Sequence, residues 1–292
     1  MSLRSHVKTL HINGTDLHYV EQGEGDPVVF VHGGMADFRS WLPQVPVFAA
    51  HYRVVSYSRR AFYPNEVPTD YDAAMQQHMD DLAALIDALD LGSVHLVANS
   101  YGGYVCLHAT LRYPEKVRSL VLAEPPVQPL LERLPGGAEM LERIRSSYWV
   151  PSREAFERGD MEEGVRRFLD GAVGPGIFDA MPERARHALT KNATEMAVAT
   201  RAPFGEFMPD FTCEDARHLQ VPVLLLRGEH SHPMYYLIND ELARCLPCAE
   251  QALIEDAAHV LNTHNAEKHD RVVLDFLSRV PALTRMLAEQ PT

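Results

Sequence analysis

Positive charge is scarce in this chain: 27 Lys and Arg residues stand against 40 Asp and Glu, a formal net charge of −13. A nucleic acid or an anionic membrane surface needs a basic face, so neither is an expected partner. Long apolar runs are also missing. No stretch is long enough to span a bilayer, and the first eleven residues hold no apolar run of signal-peptide length, so a cytoplasmic location is expected. Cysteine is sparse, with Cys106, Cys213, Cys245 and Cys248 the whole complement. These form no disulfide framework for a chain this size, and Cys245-x-x-Cys248 has no second pair with which to build a zinc or redox centre. Internal repeats and low-complexity segments are absent. What remains is an ordinary globular composition, 46% hydrophobic and 23% charged over 292 residues. That length suits one large α/β domain, or a core with an inserted subdomain.

The chain opens with two alternating runs, 6–12 and 17–22, around Asn13-Gly14, the signature of a tight hairpin. Val28-Val29-Phe30-Val31 is a continuous apolar run of the kind buried on both faces of a parallel sheet. It ends in His32-Gly33-Gly34-Met35, a turn able to expose backbone N–H groups. A short helix is expected over 41–50, strands over 52–57, 94–99 and 117–123, and helices over 71–91 and 103–112. After Pro126 the pattern turns helical as far as about residue 218, with expected helices over 130–148, 152–158, 161–172 and 182–199. Strand patterns resume over 221–226 and 250–254, with a helix over 235–246 between them and a last helix over 266–280. Alternating strands and helices imply a doubly wound, mostly parallel sheet with right-handed crossovers. The expected division is a core of 1–126 and 218–292 with a helical cap of 127–217.

One decapeptide organises the rest: Val94-His95-Leu96-Val97-Ala98-Asn99-Ser100-Tyr101-Gly102-Gly103. An apolar strand runs into a sharp turn and then into a small-residue helix start, with Ser100 at the corner. Ala98 and Gly102 flank it at two residues on either side, small enough for strand and helix to approach closely. These are the mechanics of a nucleophile elbow, with alanine in place of the first glycine of G-x-S-x-G. Gly33-Gly34, Ser100, Glu124, Gly228-Glu229 and His259 all follow expected strands. They should therefore converge beyond the carboxyl edge of the sheet, where such sheets bind ligands.

Together, His32-Gly33-Gly34, the Ser100 elbow, Val221-Pro222-Val223-Leu224-Leu225-Leu226-Arg227-Gly228-Glu229 and Ala257-Ala258-His259 resemble the α/β-hydrolase superfamily over roughly 15–125 and 215–280. The resemblance implies a nucleophile, an acid and a histidine in that chain order. Ser100 would be the nucleophile and His259 the base, with the amides of Gly34 and Tyr101 as the oxyanion hole and no metal or cofactor. The family's usual acid, an aspartate in the turn after the seventh strand, is replaced here by Ser231. Glu124, after the sixth strand and fixed by two following prolines, is the favoured replacement, and Glu229 is the alternative. His264 and His269 are expected to face solvent.

A serine nucleophile fits acyl transfer to water, so the expected activity is hydrolysis of an ester or lactone through an acyl-enzyme. The alternatives are a non-catalytic binding protein on the same fold, or a carbon–carbon bond hydrolase or perhydrolase using the same triad. An apolar or aromatic small molecule is the expected partner, because the middle segment is rich in Phe and Met. Its candidate contacts are His32, Gly33, Tyr148, Trp149, Phe204 and His230, although His32 also suits a structural brace for the glycine turn. Arg59-Arg60 either meets a substrate carboxylate or is solvated.

Overall fold

A computed structural model describes residues 7–69, 71–202 and 207–288. Strands β1 (Lys8–Ile12) and β2 (Thr15–Gln22) form the expected hairpin, paired antiparallel around Asn13-Gly14. β2 then pairs antiparallel with β4 (Arg53–Tyr57), which lies parallel to β3 (Pro27–Val31). The remaining strands β5 (Val94–Asn99), β6 (Val117–Ala123), β7 (Val223–Gly228) and β8 (Ala249–Ile254) extend the sheet in parallel, giving the order β1-β2-β4-β3-β5-β6-β7-β8. The fold is the expected doubly wound, mostly parallel α/β sheet.

Alternate residues of the central strands feed two separate cores. Val29 and Val31 of β3, with Leu96 and Ala98 of β5, face one layer. Val28, Phe30 and Val97 face the other, where Phe30 stacks on Trp41 with ring centroids 4.8 Å apart. This is the period-two geometry of a strand covered on both sides. Helix α1 (Met75–Ala88) buries Met75, Met79, Leu82, Leu85 and Ile86 at helical spacing against the first layer. It starts four residues later than the pattern suggests, because Ala73 has a φ of 59° and Ala74 is extended. Helix α2 (Tyr101–Arg112) leads directly out of the elbow.

The segment between β6 and β7 carries helices and no strand among its described residues; the expected helices over 152–158 and 161–172 form nearly as expected, whereas the two longer ones are broken. The expected helix over 130–148 is interrupted at Gly136, which takes a left-handed φ of 76°. Its second piece is α3 (Gly137–Ile144), continued by a π-helical turn over Arg145–Trp149. Next come α4 (Val150–Glu157) and α5 (Met161–Ala172). The expected helix over 182–199 divides into α6 (Glu183–Lys191) and α7 (Thr194–Ala199). The break falls at Asn192, whose side chain accepts from the Tyr63 amide and donates to Asp37 at 2.8 and 2.7 Å. A long-range anchor thus overrides local helix propensity. No helix among the described residues is long and apolar enough to cross a membrane.

Cys213 opens α8 (Cys213–Arg217) and is disulfide-bonded to Cys245 at the end of α9 (Pro233–Cys245). Sequence spacing draws attention to Cys245 and Cys248 instead, but the packing of α8 on α9 brings together residues 32 apart. Closing a loop of that length restricts the unfolded chain, typically by about 2–4 kcal/mol. Reduction with dithiothreitol, or Cys213→Ser, is therefore expected to lower the free energy of urea unfolding by about that amount. An unchanged urea midpoint would rule the contribution out.

Candidate active site

Ser100 has φ 50° and ψ −130°, a left-handed conformation that is costly for any residue with a Cβ. The turn is held because the Ser100 amide donates to the Ala123 carbonyl on β6, while its own carbonyl accepts from Gly103 at 2.9 Å. Gly102 explains the small-residue requirement: a Cβ there would fall on the carbonyl oxygens of Val31 and His32. The start of the helix is thus pressed on the end of β3, and Ser100 lines the cavity beside it.

Glu124 also sits at a positive φ of 50°, directly after β6. Its amide donates to Leu226 on β7, and its side chain crosses the end of that strand. One carboxyl oxygen accepts from the Gly228 amide at 2.7 Å, and the other lies 2.7 Å from His259 Nδ1. Glu124 is fully buried. A carboxyl oxygen facing Nδ1 fixes the imidazole proton there, which leaves the Nε2 lone pair to accept from Ser100 Oγ at 2.9 Å. The ends of β5 and β6, the turn after β7 and the loop after β8 thus bring three side chains into one hydrogen-bonded line.

The other expected residues divide. Gly33, Gly34 and Tyr101 lie against the same cavity. Tyr101 is the first residue of α2, so its amide has no partner within the helix and is free to face a ligand. Tyr148 and Trp149 also line the cavity, presented by the π-helical turn. His32 does not reach it. Burial, with the Arg59 charge beside it, lowers His32 to about 3, so the ring is neutral. Its Nε2 accepts from the Arg59 amide and its Nδ1 donates to the Gly33 carbonyl, which makes it a brace for the glycine turn. His230 is likewise outside the cavity, on the exposed side of the β7 turn beside Glu229. Phe204 lies outside the described residues.

Glu229 is exposed, and its carboxyl accepts from the Asp256 amide at 3.0 Å. Ser231, at the family's usual acid position, has a buried hydroxyl with no hydrogen-bond partner among the described residues. His264 is exposed as expected, but His269 is buried, bonded to Asp270 at 2.8 Å and packed against Trp41. Arg59 and Arg60 are neither solvated nor in the cavity. Both are buried: Arg60 pairs with Asp81, and Arg59 forms a bidentate pair with Glu195 on α7. Arg59 also donates to the carbonyls of His32 and Gly33, each at 3.3 Å.

The cavity encloses about 740 Å³ and is mainly apolar. Phe168, Met181, Met196 and Phe207 from the β6–β7 segment line it together with Ser100 and His259. Phe207 stacks on Tyr101 with centroids 4.5 Å apart and planes within 8°. Sequence reasoning missed Tyr235, which lines the cavity beside His259. The available signal was its place just beyond the turn that follows β7.

A family model described as the alpha/beta hydrolase fold matches residues 26–265. A non-heme chloroperoxidase from Kitasatospora aureofaciens is 28% identical over 91% of this chain and 98% of its own. A 2-hydroxy-6-oxo-6-(2'-aminophenyl)hexa-2,4-dienoic acid hydrolase from Metapseudomonas resinovorans is 28% identical over 96% of this chain and 93% of its own. The crystal structure of a bromoperoxidase from Bacillus anthracis superposes with a TM-score of 0.76 at 25% identity, covering 93% of this chain and 99% of that one. The match spans both parts of the sheet and the helical segment between them, and the chain belongs to the alpha/beta hydrolase fold family.

Proposed function

We propose that this protein is a serine hydrolase that cleaves a carboxylic ester or lactone through an acyl-enzyme on Ser100. The observation that carries the proposal is the line from Glu124 through His259 to Ser100, with spacings of 2.7 and 2.9 Å, at the floor of an apolar cavity. Ser100 Oγ attacks the carbonyl carbon as its proton passes to His259 Nε2. The amides of Gly34 and Tyr101 receive the developing oxyanion. His259 then protonates the leaving oxygen, and Glu124 stabilises the imidazolium and holds its tautomer. Water repeats the sequence to release the acid. Residues 127–217 act as a cap over a core of 1–126 and 218–292, and their Phe and Met side chains favour an apolar acyl group.

A binding-only protein on this fold would lack the acid that Ser231 replaces, and the Glu124 carboxyl 2.7 Å from His259 Nδ1 supports the hydrolase reading over it. A second reading is hydrolysis of a carbon–carbon bond beside a ketone by the same serine, favoured by the relationship to the Metapseudomonas hydrolase. The test is covalent. An alkyl fluorophosphonate should add one phosphonyl group to the Ser100 peptide and nothing to Ser100→Ala, with p-nitrophenyl ester turnover lost in step. Absence of both labelling and turnover on an ester and lactone panel sinks the proposal, and turnover confined to 1,5-diketones would favour the second reading.

A further inference from the structure

Pro233 starts α9, and the third residue of that helix, Tyr235, is carried into the site. It is 3% exposed and belongs to the cavity wall. Its ring lies flat on the His259 imidazole, with centroids 4.5 Å apart and planes within 14°. Its hydroxyl oxygen is 3.3 Å from Nε2. The Nε2 lone pair lies in the plane of the imidazole, whereas a stacked ring holds the phenol oxygen over the imidazole face. The phenol proton is therefore poorly aligned with that lone pair, which is left to Ser100. A donor poised over Nε2 and uncommitted to it faces whatever atom next approaches Nε2. In acyl transfer that atom is the departing oxygen of the substrate.

We propose that Tyr235 is a catalytic residue that donates a hydrogen bond to the leaving-group oxygen, fitting the site to esters and lactones of unactivated alcohols. The inference rests on the serine-hydrolase reading. In the step concerned, the bond between the acyl carbon and the leaving oxygen breaks and that oxygen takes the electron pair. The proton it acquires is the one His259 Nε2 took from Ser100. Tyr235 keeps its own proton and lends only a hydrogen bond while negative charge is greatest. Burial holds this phenol well above its ordinary pKa, so it donates without ionising. Stacking against imidazole additionally favours the imidazolium form through the ring face.

Tyr235→Phe keeps the stacked ring and deletes the hydroxyl alone. The measurement is kcat/KM for butanoate esters whose alcohols run from 4-nitrophenol to ethanol, beside the rate of fluorophosphonate inactivation. Departure of nitrophenolate or fluoride needs little help, so the ethyl ester rate should fall roughly 10- to 100-fold further than either of those two, the scale of a hydrogen bond to a charged oxygen. An equal fall at every leaving group, with slower inactivation, would assign Tyr235 to packing and overturn the inference. So would an ethyl ester rate that does not change. Wild-type protein that is neither labelled nor active on any ester overturns the serine-hydrolase reading itself, an outcome distinct from either of these.

Discussion

Glu124→Gln is expected to lower ester turnover by about 10⁴-fold with the fold intact, the scale of losing a triad acid. The reason is tautomeric. A glutamine can keep its carbonyl on the Gly228 amide, where Glu124 Oε1 now accepts at 2.7 Å. Its NH₂ then faces His259 Nδ1, which must turn from donor to acceptor. The imidazole proton moves to Nε2, and the lone pair that would take the Ser100 proton is lost. Glu229→Gln removes charge from an exposed carboxyl bonded to the Asp256 amide, and turnover should stay within about twofold. Stopped assays on a p-nitrophenyl ester, with circular dichroism to check folding, decide between the two. If Glu229→Gln collapses and Glu124→Gln does not, the acid belongs to the turn after β7.

The contrast between these carboxyls marks where sequence stops being informative. Ser100 was legible because the elbow is local: its strain, its small neighbours and the helix start all fall within ten consecutive residues. His259 was legible from its place after the last strand. Glu124 needed a long-range inference, that an empty acid position implies a replacement one strand away, and sequence alone could not exclude Glu229. The failures share a cause. His32 and His230 both adjoin residues of the site, yet one side chain turns beneath the glycine loop and the other turns outward. Arg59 and Arg60 read as solvent or substrate contacts because their partners, Glu195 and Asp81, are 136 and 21 residues away. The Cys213–Cys245 bond and the break at Asn192 were hidden for the same reason. Periodicity reports which face of an element is apolar, but not which distant residue meets it. Tyr235 escaped because its role depends on ring orientation, which no spacing encodes.

Glu195→Gln is the substitution expected to cost the most stability, about 3–5 kcal/mol, because it strands a buried cation. Arg59 is 1% exposed and Glu195 fully buried, with contacts of 2.6 and 3.0 Å between them. His78, also buried, approaches the same carboxyl at 2.9 Å, and the Tyr71 hydroxyl lies at 3.4 Å. Burial alone would raise Glu195, but the Arg59 charge and the hydrogen bonds from His78 and Arg59 outweigh it and hold the carboxyl down to about 2. The sign follows: a depressed carboxyl contributes fully above pH 4.5 and loses its contribution as pH falls toward 2. The stability gap between wild type and Glu195→Gln should therefore be constant near neutrality and narrow over that acid range. At pH 7 it should appear as a drop in Tm on the order of 10 °C. Arg59→Met alone should do similar damage by stranding Glu195, whereas Arg59→Met with Glu195→Leu should recover part of it, since the apolar pair avoids stranding a charge but leaves His78 and the Tyr71 hydroxyl without the Glu195 carboxyl. Recovery of stability need not recover activity. The Arg59 guanidinium also holds the carbonyls of His32 and Gly33, and the next amide, that of Gly34, is a proposed oxyanion donor. A double variant that regains Tm but not kcat would separate two roles of Arg59: joining α7 to the core, and fixing the turn that carries the proposed oxyanion donor. Equal recovery of both would reduce the pair to a structural tie.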